Sequence, residues 1–534
     1  MAEISSSAAI RELAALMRAH GVTRCVACPG SRNSPIVATL AALGDFELRG
    51  ATDERSAGFA ACGWATQVQA PVAVCVTSGS ALLNLHPAVA EAYYRHLPLL
   101  VISADRPASW IGQQDGQTLP QPGALGSLCR MSVHIPEAEN ESWHRNRLLN
   151  EALLELRHRS GGPVHINMPL TEPLFGTTTE PLPEPRLIRR TELARMTADE
   201  ETELLDTIAD CPRRLILLGQ LPYGTDIPPQ LMAEKAFAVA GEHLCNTALA
   251  NTQPDAVLGP QASADLSPDL LITYGGCIIS KRLKAQLRSH PPKEHWHICP
   301  DGQVTDTFCC LTRVIEGAPD ELWGLLAAFA EEGDEAYAER WLTPVPVPQF
   351  PYSGMQLVGD LVGALPEKSV LHLANSSAVR FAQLYPLPED VQVECNRGVN
   401  GIEGSLSTAI GYAIGDERPQ FFICGDLSFF YDMNALWLQG IPSHLRILLL
   451  NNGGGGIFDL IPTPNHPMVN GTHTASAAAW AQSCGFEYLT VRNEYDWPAA
   501  LAALSTPSER PIIVEAFTNS KSDASLLKQF YAQY

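Results

Sequence analysis

Two polar stretches that directly follow apolar runs contain the side chains best suited to bind a metal ion. The run QFFIC leads into Gly425 and Asp426, and the run RILLL leads into Asn451 and Asn452, which the glycines 453–456 follow. In a right-handed βαβ unit, two such parallel strands end at the same edge of the sheet, where open α/β sheets bind ligands. A carboxylate, an amide oxygen and a backbone carbonyl suit Mg²⁺, and glycines let the backbone approach a phosphate. Either half alone fits a turn without a ligand, but the two together predict a site for Mg²⁺ and a diphosphate.

A glutamate in the stretch ATDERSAGFAA could take part in acid–base chemistry. Glu54 directly precedes a Gly- and Ala-rich helical pattern. An acid at this place can simply stabilise the N terminus of the helix, and that interpretation is preferred for the residue taken alone. A buried carboxyl against a ring nitrogen could instead share a proton with it. The presence of the metal stretch in the same chain favours this catalytic interpretation.

Several motifs together resemble those of the thiamine diphosphate-dependent enzymes. GD followed by NN is similar to their metal–diphosphate motif, although Leu427 stands where Gly is usual. The form GDLSF, with Asp432 and Asn434 after it, resembles one branch, the 2-succinyl-5-enolpyruvyl-6-hydroxy-3-cyclohexene-1-carboxylate synthases of menaquinone biosynthesis. CPGSRNSPI resembles the PGSR loop of that branch, and ATDERSAGFAA resembles the stretch with its catalytic glutamate. The likeness is weakest in the middle third of the chain.

The resemblance implies a role for individual residues of this sequence. The implied catalytic residues are Glu54, Gln117, Ser31 and Arg32. The implied cofactor-binding residues are Glu54, Thr77, Gly79, Ile402, Gly425, Asp426, Leu427, Ser428, Asn452, Gly454, Ile457 and Phe458. The implied metal ligands are Asp426, Asn452 and Gly454. The implied substrate-binding residues are Ser31, Arg32, Gln117, Lys281, Arg282, Ser376, Arg380 and Arg397.

The resemblance also implies a reaction. The enzyme would decarboxylate 2-oxoglutarate and add the succinyl carbanion equivalent to isochorismate, with thiamine diphosphate and Mg²⁺ or Mn²⁺ as cofactors. Both substrates are dianions, and arginine suits carboxylates, so the implied arginines match them. Gly116 stands where many members have Asn, so one substrate contact is absent or comes from Asp115 or Gln114. The alternatives are an acetolactate synthase-like carboligase, a simple 2-oxo acid decarboxylase, or a binding domain without catalysis.

The elements that must position these residues form three segments. Short apolar runs alternate with helical patterns in each, which predicts three doubly wound α/β domains with parallel sheets. The resemblance implies a pyrimidine-binding domain at 1–178, a central domain at 186–342 and a diphosphate-binding domain at 352–534. Glu54 and Asp426 fall in different domains. In the family the matching residues meet across a dimer interface, which implies a homodimer or homotetramer with its active sites between subunits.

Local patterns predict where individual helices begin and end. The first helix is expected to begin after Ser7 and to end before Gly21. A helix is expected around Met232–Ala240, and another from about Tyr431 to Gln439, between the two metal-binding stretches. The basic stretch SKRLKAQLRSH predicts a helix that begins near Lys281.

Composition excludes several classes of function. The 534 residues carry a formal net charge of −22, which disfavours general binding to nucleic acid or to an anionic membrane. No apolar run is long enough for a membrane span, and the N terminus lacks the pattern of a signal peptide, so we expect a cytoplasmic protein. Most of the 14 cysteines lie in apolar runs, as buried thiols do in a reducing compartment. The alternation in HWHICP favours a strand over a zinc site formed by His295, His297, Cys299, Cys309 and Cys310.

Overall fold

The protein contains three parallel β-sheets with helices packed against them, which confirms the predicted fold class. The computed structural model describes residues 3–191, 196–231, 236–247, 253–259, 263–328, 333–342, 346–388, 390–460 and 466–533. Within these ranges no helix is long and apolar enough to cross a membrane.

The first sheet carries Glu54 and the PGSR loop at the ends of its strands. The strands of this segment are β1 (Ile4–Ser5), β2 (Arg24–Ala27), β3 (Glu47–Gly50), β4 (Val72–Val76), β5 (Leu99–Asp105), β6 (Met131–His134), β7 (Val164–Pro169) and β8 (Thr177–Thr178). Its helices are α1 (Ala8–Ala19), α2 (Ser34–Leu43), α3 (Glu54–Val68), α4 (Ser80–Leu83), α5 (His86–Tyr94) and α6 (Ser142–Glu155). The sheet order is β3-β2-β4-β5-β7-β6, all parallel, while β1 and β8 form a separate antiparallel pair. Helix α1 begins after Ser7 and ends before Gly21, as predicted.

The second sheet contains a strand where the sequence pattern predicted a helix. Its strands are β9 (Arg214–Leu218), β10 (Ala238–Gly241), β11 (Leu270–Tyr274), β12 (Glu294–Cys299) and β13 (Arg313–Glu316), in the parallel order β10-β9-β11-β12-β13. The helices are α7 (Ala198–Ala209), α8 (Pro254–Val257), α9 (Lys281–Ser289), α10 (Asp320–Ala328) and α11 (Glu335–Trp341).

The helix expected around Met232–Ala240 is wrong in its described part, because 238–241 is a buried parallel strand. A strand that is buried on both faces is a continuous apolar run, and its periodicity does not distinguish it from a buried helix. Residues 232–235 of that expectation lie outside the described ranges. The predicted strand at HWHICP is confirmed as β12.

The third sheet carries the two metal-binding stretches on neighbouring strands. Its strands are β14 (Val370–Leu373), β15 (Gln392–Cys395), β16 (Gln420–Gly425), β17 (Leu445–Asn451), β18 (Glu487–Val491) and β19 (Ile512–Phe517), in the order β15-β14-β16-β17-β19-β18. The helices are α12 (Gly354–Gly363), α13 (Ser377–Ala382), α14 (Ser405–Ala413), α15 (Asp426–Tyr431), α16 (Pro467–Asn470), α17 (Ala478–Ser483), α18 (Trp497–Ser505) and α19 (Ser520–Gln533).

The helix predicted from Tyr431 to Gln439 is also wrong. Helix α15 begins at Asp426 itself and ends at Tyr431, and a 3₁₀ turn at 433–437 follows it. The fully buried Asp432 interrupts the helix, because its carboxylate accepts hydrogen bonds from the backbone N–H of Ser407 (2.7 Å) and from its hydroxyl (2.6 Å).

Two helices of distant sequence pack backbone to backbone. A Cβ atom on Gly63 of α3 would lie 2.0 Å from the carbonyl oxygen of Thr408 in α14, and one on Gly411 would lie 2.2 Å from that of Ala60. Such an approach requires glycine at both positions. The chain accordingly divides into one compact unit of Met1–Thr191, Gly398–Glu417 and Ser428–Leu445, and a second unit of Glu192–Arg397, Arg418–Leu427 and Arg446–Tyr534. The limits of the three predicted domains stay a prediction.

Candidate active site

The carboxylate of Asp426 binds the loop that follows β17. It lies at the first position of α15 and is 2% exposed. Its Oδ2 accepts hydrogen bonds from the backbone N–H groups of Asn452 (3.1 Å), Gly453 (2.8 Å) and Gly454 (2.9 Å). Its Oδ1 accepts one from the N–H of Leu427 at 2.7 Å. Burial raises the pKa of Asp426, and these donors oppose that rise because they stabilise the charged form.

The Asn452 side chain presents an amide oxygen with no partner. Its Oδ1 is buried and has no hydrogen bond to any described residue. Gly453 and Gly454 have φ angles of 78° and 154°, a region of backbone conformation that glycine adopts without strain. The carbonyl of Gly454 accepts the N–H of Gly456 at 3.0 Å and retains a second lone pair.

Two residues that the sequence analysis did not single out hold this loop. Glu515 is fully buried in β19, and its carboxylate accepts from the Asn451 amide (2.6 Å), the Ser476 hydroxyl (2.8 Å) and the Tyr488 hydroxyl (2.5 Å). His473 lies on the other side, with Nε2 3.2 Å from Asp426 Oδ2. Glu515 could have been found from the sequence, because it is the one acid within the apolar run PIIVEAF and an acid is rarely buried without partners.

Glu54 is the first residue of α3, and its neighbours fix that end of the helix. Asp53 caps the helix, and its Oδ1 accepts from the N–H groups of Arg55 (2.9 Å) and Ser56 (3.3 Å). The other carboxylate oxygen of Asp53 accepts from the Asn434 amide at 2.8 Å. Glu54 itself is partly buried, and its Oε2 accepts from the Asn84 amide at 3.1 Å. The Asn434 of the GDLSF motif therefore supports the helix that carries Glu54.

The loop with Gln117 lies against the turn formed by Thr77, Ser78 and Gly79. A Cβ atom on Gly79, whose φ is 86°, would lie 3.0 Å from the Cα of Gln117. The Gly79 N–H donates to the buried Gln121 side chain at 2.7 Å, and Gln121 in turn donates to the Ala104 carbonyl at 3.0 Å. Thr77 has a buried hydroxyl with no partner among the described residues. Gln121, which the sequence analysis missed, thus fixes the turn, while the Gln117 side chain is exposed.

Arg32 of the PGSR loop is buried, whereas its neighbour Ser31 is exposed. The Arg32 guanidinium donates to the Leu170 carbonyl at 2.9 Å and to Glu172 at 3.0 Å. Arg106, which was not predicted, lies 3.7 Å from the same Glu172 carboxylate oxygen. The exposed Glu172 therefore lies within reach of two arginines.

A second group of arginines forms within the unit that contains Asp426. Arg397 is 6% exposed, and its Nη1 donates to the Asn375 amide oxygen at 2.7 Å. Its Nε is buried without a hydrogen bond to any described residue. Arg380 donates to the Ser376 carbonyl at 2.5 Å. Burial and then the nearby Arg397 lower the pKa of Arg380, as expected where two guanidinium groups lie close together.

The other predicted residues form contacts of their own or are only partly buried. Arg282 donates to the Gly259 carbonyl, while Lys281 beside it is exposed. The buried Ser428 donates its hydroxyl to the Ile402 carbonyl at 3.1 Å. The predicted cofactor-binding residues Gly425, Leu427, Ile457 and Phe458 are partly buried.

Comparison with known proteins gives the family. The family "Thiamine pyrophosphate enzyme, N-terminal TPP binding domain" matches residues 9–123. The 2-succinyl-5-enolpyruvyl-6-hydroxy-3-cyclohexene-1-carboxylate synthases of Bacteroides fragilis and Bacteroides thetaiotaomicron are 50% and 47% identical to this chain, and each alignment covers 98% of both proteins. This chain belongs to that synthase family. It is a thiamine diphosphate-dependent enzyme of decarboxylation and carbon–carbon bond formation, as predicted.

Similarity extends to more distant proteins. The synthase of Flavobacterium johnsoniae is 36% identical, over 96% of this chain and 97% of that protein. A solved structure, the Rhodococcus jostii RHA1 thiamine diphosphate-dependent 4-hydroxybenzoylformate decarboxylase, has a TM-score of 0.74 at 19% identity, over 96% of this chain and 99% of that chain. At this identity the likeness shows a shared fold.

The donor set of the synthase fits a divalent ion. Asp426, the Asn452 Oδ1 without a partner among the described residues and the Gly454 carbonyl offer hard oxygen atoms of the kind that Mg²⁺ and Mn²⁺ prefer. The buried Thr77 hydroxyl, also without a partner among the described residues, fits the predicted contact with the cofactor. Glu54 and Asp426 belong to different compact units, and the roles of the individual residues stay predictions.

We predict that Asp426→Ala weakens Mg²⁺-dependent thiamine diphosphate binding by at least about a hundredfold. The change removes the predicted metal ligand and the acceptor of three loop N–H groups, and even loss of an outer contact of a metal site costs about ten- to a hundredfold. Asn452→Ala should weaken binding less, because its backbone N–H still donates to Asp426. Calorimetric titration measures both.

The exposed Asn493 in a turn offers a matched control for Asn452. Asn493→Ala should bind the cofactor as the unchanged protein does. Tight, metal-dependent binding by Asp426→Ala would place the metal ion elsewhere.

Proposed function

We propose that this enzyme decarboxylates 2-oxoglutarate and adds the succinyl unit to isochorismate, giving 2-succinyl-5-enolpyruvyl-6-hydroxy-3-cyclohexene-1-carboxylate and CO₂ in menaquinone biosynthesis. The observation that carries the proposal is the group formed by the buried Arg397 and the partly buried Arg282 and Arg380, in a protein whose relatives are named for this product. Neither Arg380 nor Arg397 forms an ion pair with a carboxylate among the described residues.

Two acids, Glu242 and Asp255, lie near these arginines. Glu242 is 2% exposed and accepts from the N–H groups of Ile279 (2.5 Å) and Ser280 (2.6 Å). Burial raises the pKa of Glu242 to about 7, so its carboxyl is partly protonated near neutral pH, and burial also raises the pKa of Asp255. The buried positive charge of Arg397, with Arg380 close to it, needs an anion, and guanidinium groups suit carboxylates.

The distal carboxylate of 2-oxoglutarate supplies such an anion. Pyruvate, the donor of the acetolactate synthase-like alternative, has no second carboxylate and would leave Arg380 and Arg397 without one. The Arg32 and Arg106 guanidinium groups beside Glu172 offer a separate place for the carboxylates of isochorismate. We therefore favour succinyl transfer over the alternative reactions.

Thiamine diphosphate, when bound, supplies the electron sink for decarboxylation of a 2-oxo acid. The chain's own residues bind and orient it. Asp426, Asn452 and Gly454 would hold the Mg²⁺ or Mn²⁺ ion, and Glu54 would share a proton with the aminopyrimidine ring. The Asp53 cap and Asn434 fix the backbone of Glu54, and Asn84 orients its carboxyl.

We also propose that two copies of the chain form the active sites. Several large apolar side chains are exposed on the unit that carries Glu54, among them Leu83, Tyr94, Val399, Tyr431 and Trp437. Such exposure is usual where a second chain packs. A homodimer, or a homotetramer of two dimers, would bring Glu54 of one subunit to the metal site of the other.

Replacement of Glu54 tests the proton-transfer step. We expect Glu54→Gln to fold and to bind the cofactor, but to exchange the thiazolium C2 proton at least about a hundredfold more slowly, because an amide cannot share the proton. The protein with its cofactor is incubated in D₂O, the exchange is stopped at set times, and NMR measures how much of the C2 proton remains. Exchange at the unchanged rate would remove Glu54 from this role.

Replacement of an arginine tests the donor substrate. Arg380→Met should raise the KM for 2-oxoglutarate by roughly ten- to a hundredfold, since a hydrogen bond to a charged group contributes about 1.5–3 kcal/mol. The exposed Arg492, which stacks on Phe517, provides a control in Arg492→Met. If pyruvate served the unchanged enzyme as well as 2-oxoglutarate did, the acetolactate synthase-like alternative would replace this proposal.

A further inference from the structure

We propose that Tyr531, on the C-terminal helix α19, is a positioning residue that holds Arg282 in the carboxylate-binding group of arginines. Under the proposed function, Arg282 belongs to the group that binds the distal carboxylate of 2-oxoglutarate, so this inference rests on the proposed function. Tyr531 was not among the residues that the sequence predicted for the site.

The position of α19 beside the site is fixed at several points. Lys528 donates to the Asp459 carbonyl at 2.8 Å, at the end of the 3₁₀ turn 456–459 that carries the predicted Ile457 and Phe458. The rings of Phe530 and Phe350 lie 5.9 Å apart. The last turn of α19 is therefore anchored to the turn that is expected to line the cofactor.

One face of α19 packs into the apolar core near its middle and lies beside charged groups near its end. Ala524 and Leu527 are buried in the core at 5% and 2% exposure. Tyr531 continues the same face one turn later, since residues separated by three or four positions lie on one side of a helix. The charged groups that act on Tyr531 are Asp255, Arg282, Arg380 and Glu242. Its side chain thus lies with the charged group and is not part of the apolar core.

The contact between Tyr531 and Arg282 is a cation–π contact. The Arg282 guanidinium carbon lies 5.0 Å from the centroid of the Tyr531 ring. A guanidinium attracted to a ring face is held in one plane, and its N–H groups point outward along that plane, where a carboxylate would approach. The Gly259 carbonyl accepts from Nη2 and fixes the group from another direction.

The phenol contributes its ring and not a charge. Burial, and then the nearby Asp255, raise the pKa of Tyr531 well above its usual value. The hydroxyl therefore stays protonated near neutral pH and adds no negative charge beside the arginines. The ring limits the positions available to Arg282 without neutralising it, which is the property required of a residue that orients a cation for an incoming anion.

Three variants separate the ring from the hydroxyl. Tyr531→Leu should raise the KM for 2-oxoglutarate about three- to thirtyfold, the range for loss of a partly desolvated cation–π contact, with kcat and the KM for isochorismate unchanged. Tyr531→Phe keeps the ring and should stay within about twofold of the unchanged enzyme. Tyr495→Leu, at a tyrosine that is 85% exposed, is the control.

A double-mutant cycle tests the link to Arg282. Arg282→Met alone should raise the same KM roughly ten- to a hundredfold, and adding Tyr531→Leu should raise it no further, because the ring acts through the guanidinium. Titration of the protein with succinate, which carries the same distal carboxylate, should show the same order of affinities by calorimetry without turnover.

The outcomes distinguish this inference from the proposed function. An unchanged KM in Tyr531→Leu, with a raised KM in Arg282→Met, would overturn the role of Tyr531 alone. A KM for isochorismate that rises in place of that for 2-oxoglutarate would overturn the assignment to the donor. A lower kcat and thermal midpoint in Tyr531→Leu that Tyr531→Phe shares would mean a merely structural role. Unchanged kinetics in both Arg282→Met and Arg380→Met would contradict the proposed function itself.

Discussion

The structure of the candidate active site depends on the hydrogen bonds between the buried carboxylate of Asp426 and the loop that follows β17. Asp426 accepts the N–H groups of three consecutive residues, 452–454, and so gives the glycine loop a fixed conformation before any ligand binds. Without this acceptor the loop would have unpaired buried donors and no preferred shape. The strand order of the third sheet makes the contact possible, because β16 and β17 are neighbours and each ends at this edge. Glu515 supports the loop from β19 by fixing the side chain of Asn451.

At the start of α3, a carboxylate likewise fixes the backbone by accepting hydrogen bonds from its N–H groups. Asp53 accepts the first N–H groups of α3, and Asn434 fixes Asp53 in turn, so that the backbone of Glu54 is held by its neighbours. The close contact of Gly63 with Thr408 brings the region of Asn434 to this helix. Within one compact unit, residues far apart in sequence therefore determine where a single glutamate lies.

The sequence predicted the fold class and the motifs because these depend on local patterns and on single residues. Asp426, Asn452 and Glu54 lie at strand or helix ends, where a change of pattern marks them. The prediction from sequence failed where the pattern was ambiguous. In the buried strand 238–241, apolar residues do not alternate with polar ones, so the pattern did not distinguish this segment from a helix. Residues that act through long-range contacts, such as Gln121 and Tyr531, carry no local signal, since their partners are known only from the fold.

The central claim is that Asp426, Asn452 and Gly454 hold a divalent ion at the end of β16 and β17. Crystals of the protein grown with thiamine diphosphate and Mn²⁺ test it most directly, because manganese gives an anomalous signal that locates the ion independently of the protein atoms. The account predicts one strong anomalous peak within bonding distance of the Asp426 carboxylate, the Asn452 Oδ1 and the Gly454 carbonyl oxygen. A bound cofactor with its manganese peak away from these three oxygens, or with these oxygens bonded only to protein groups, would contradict it.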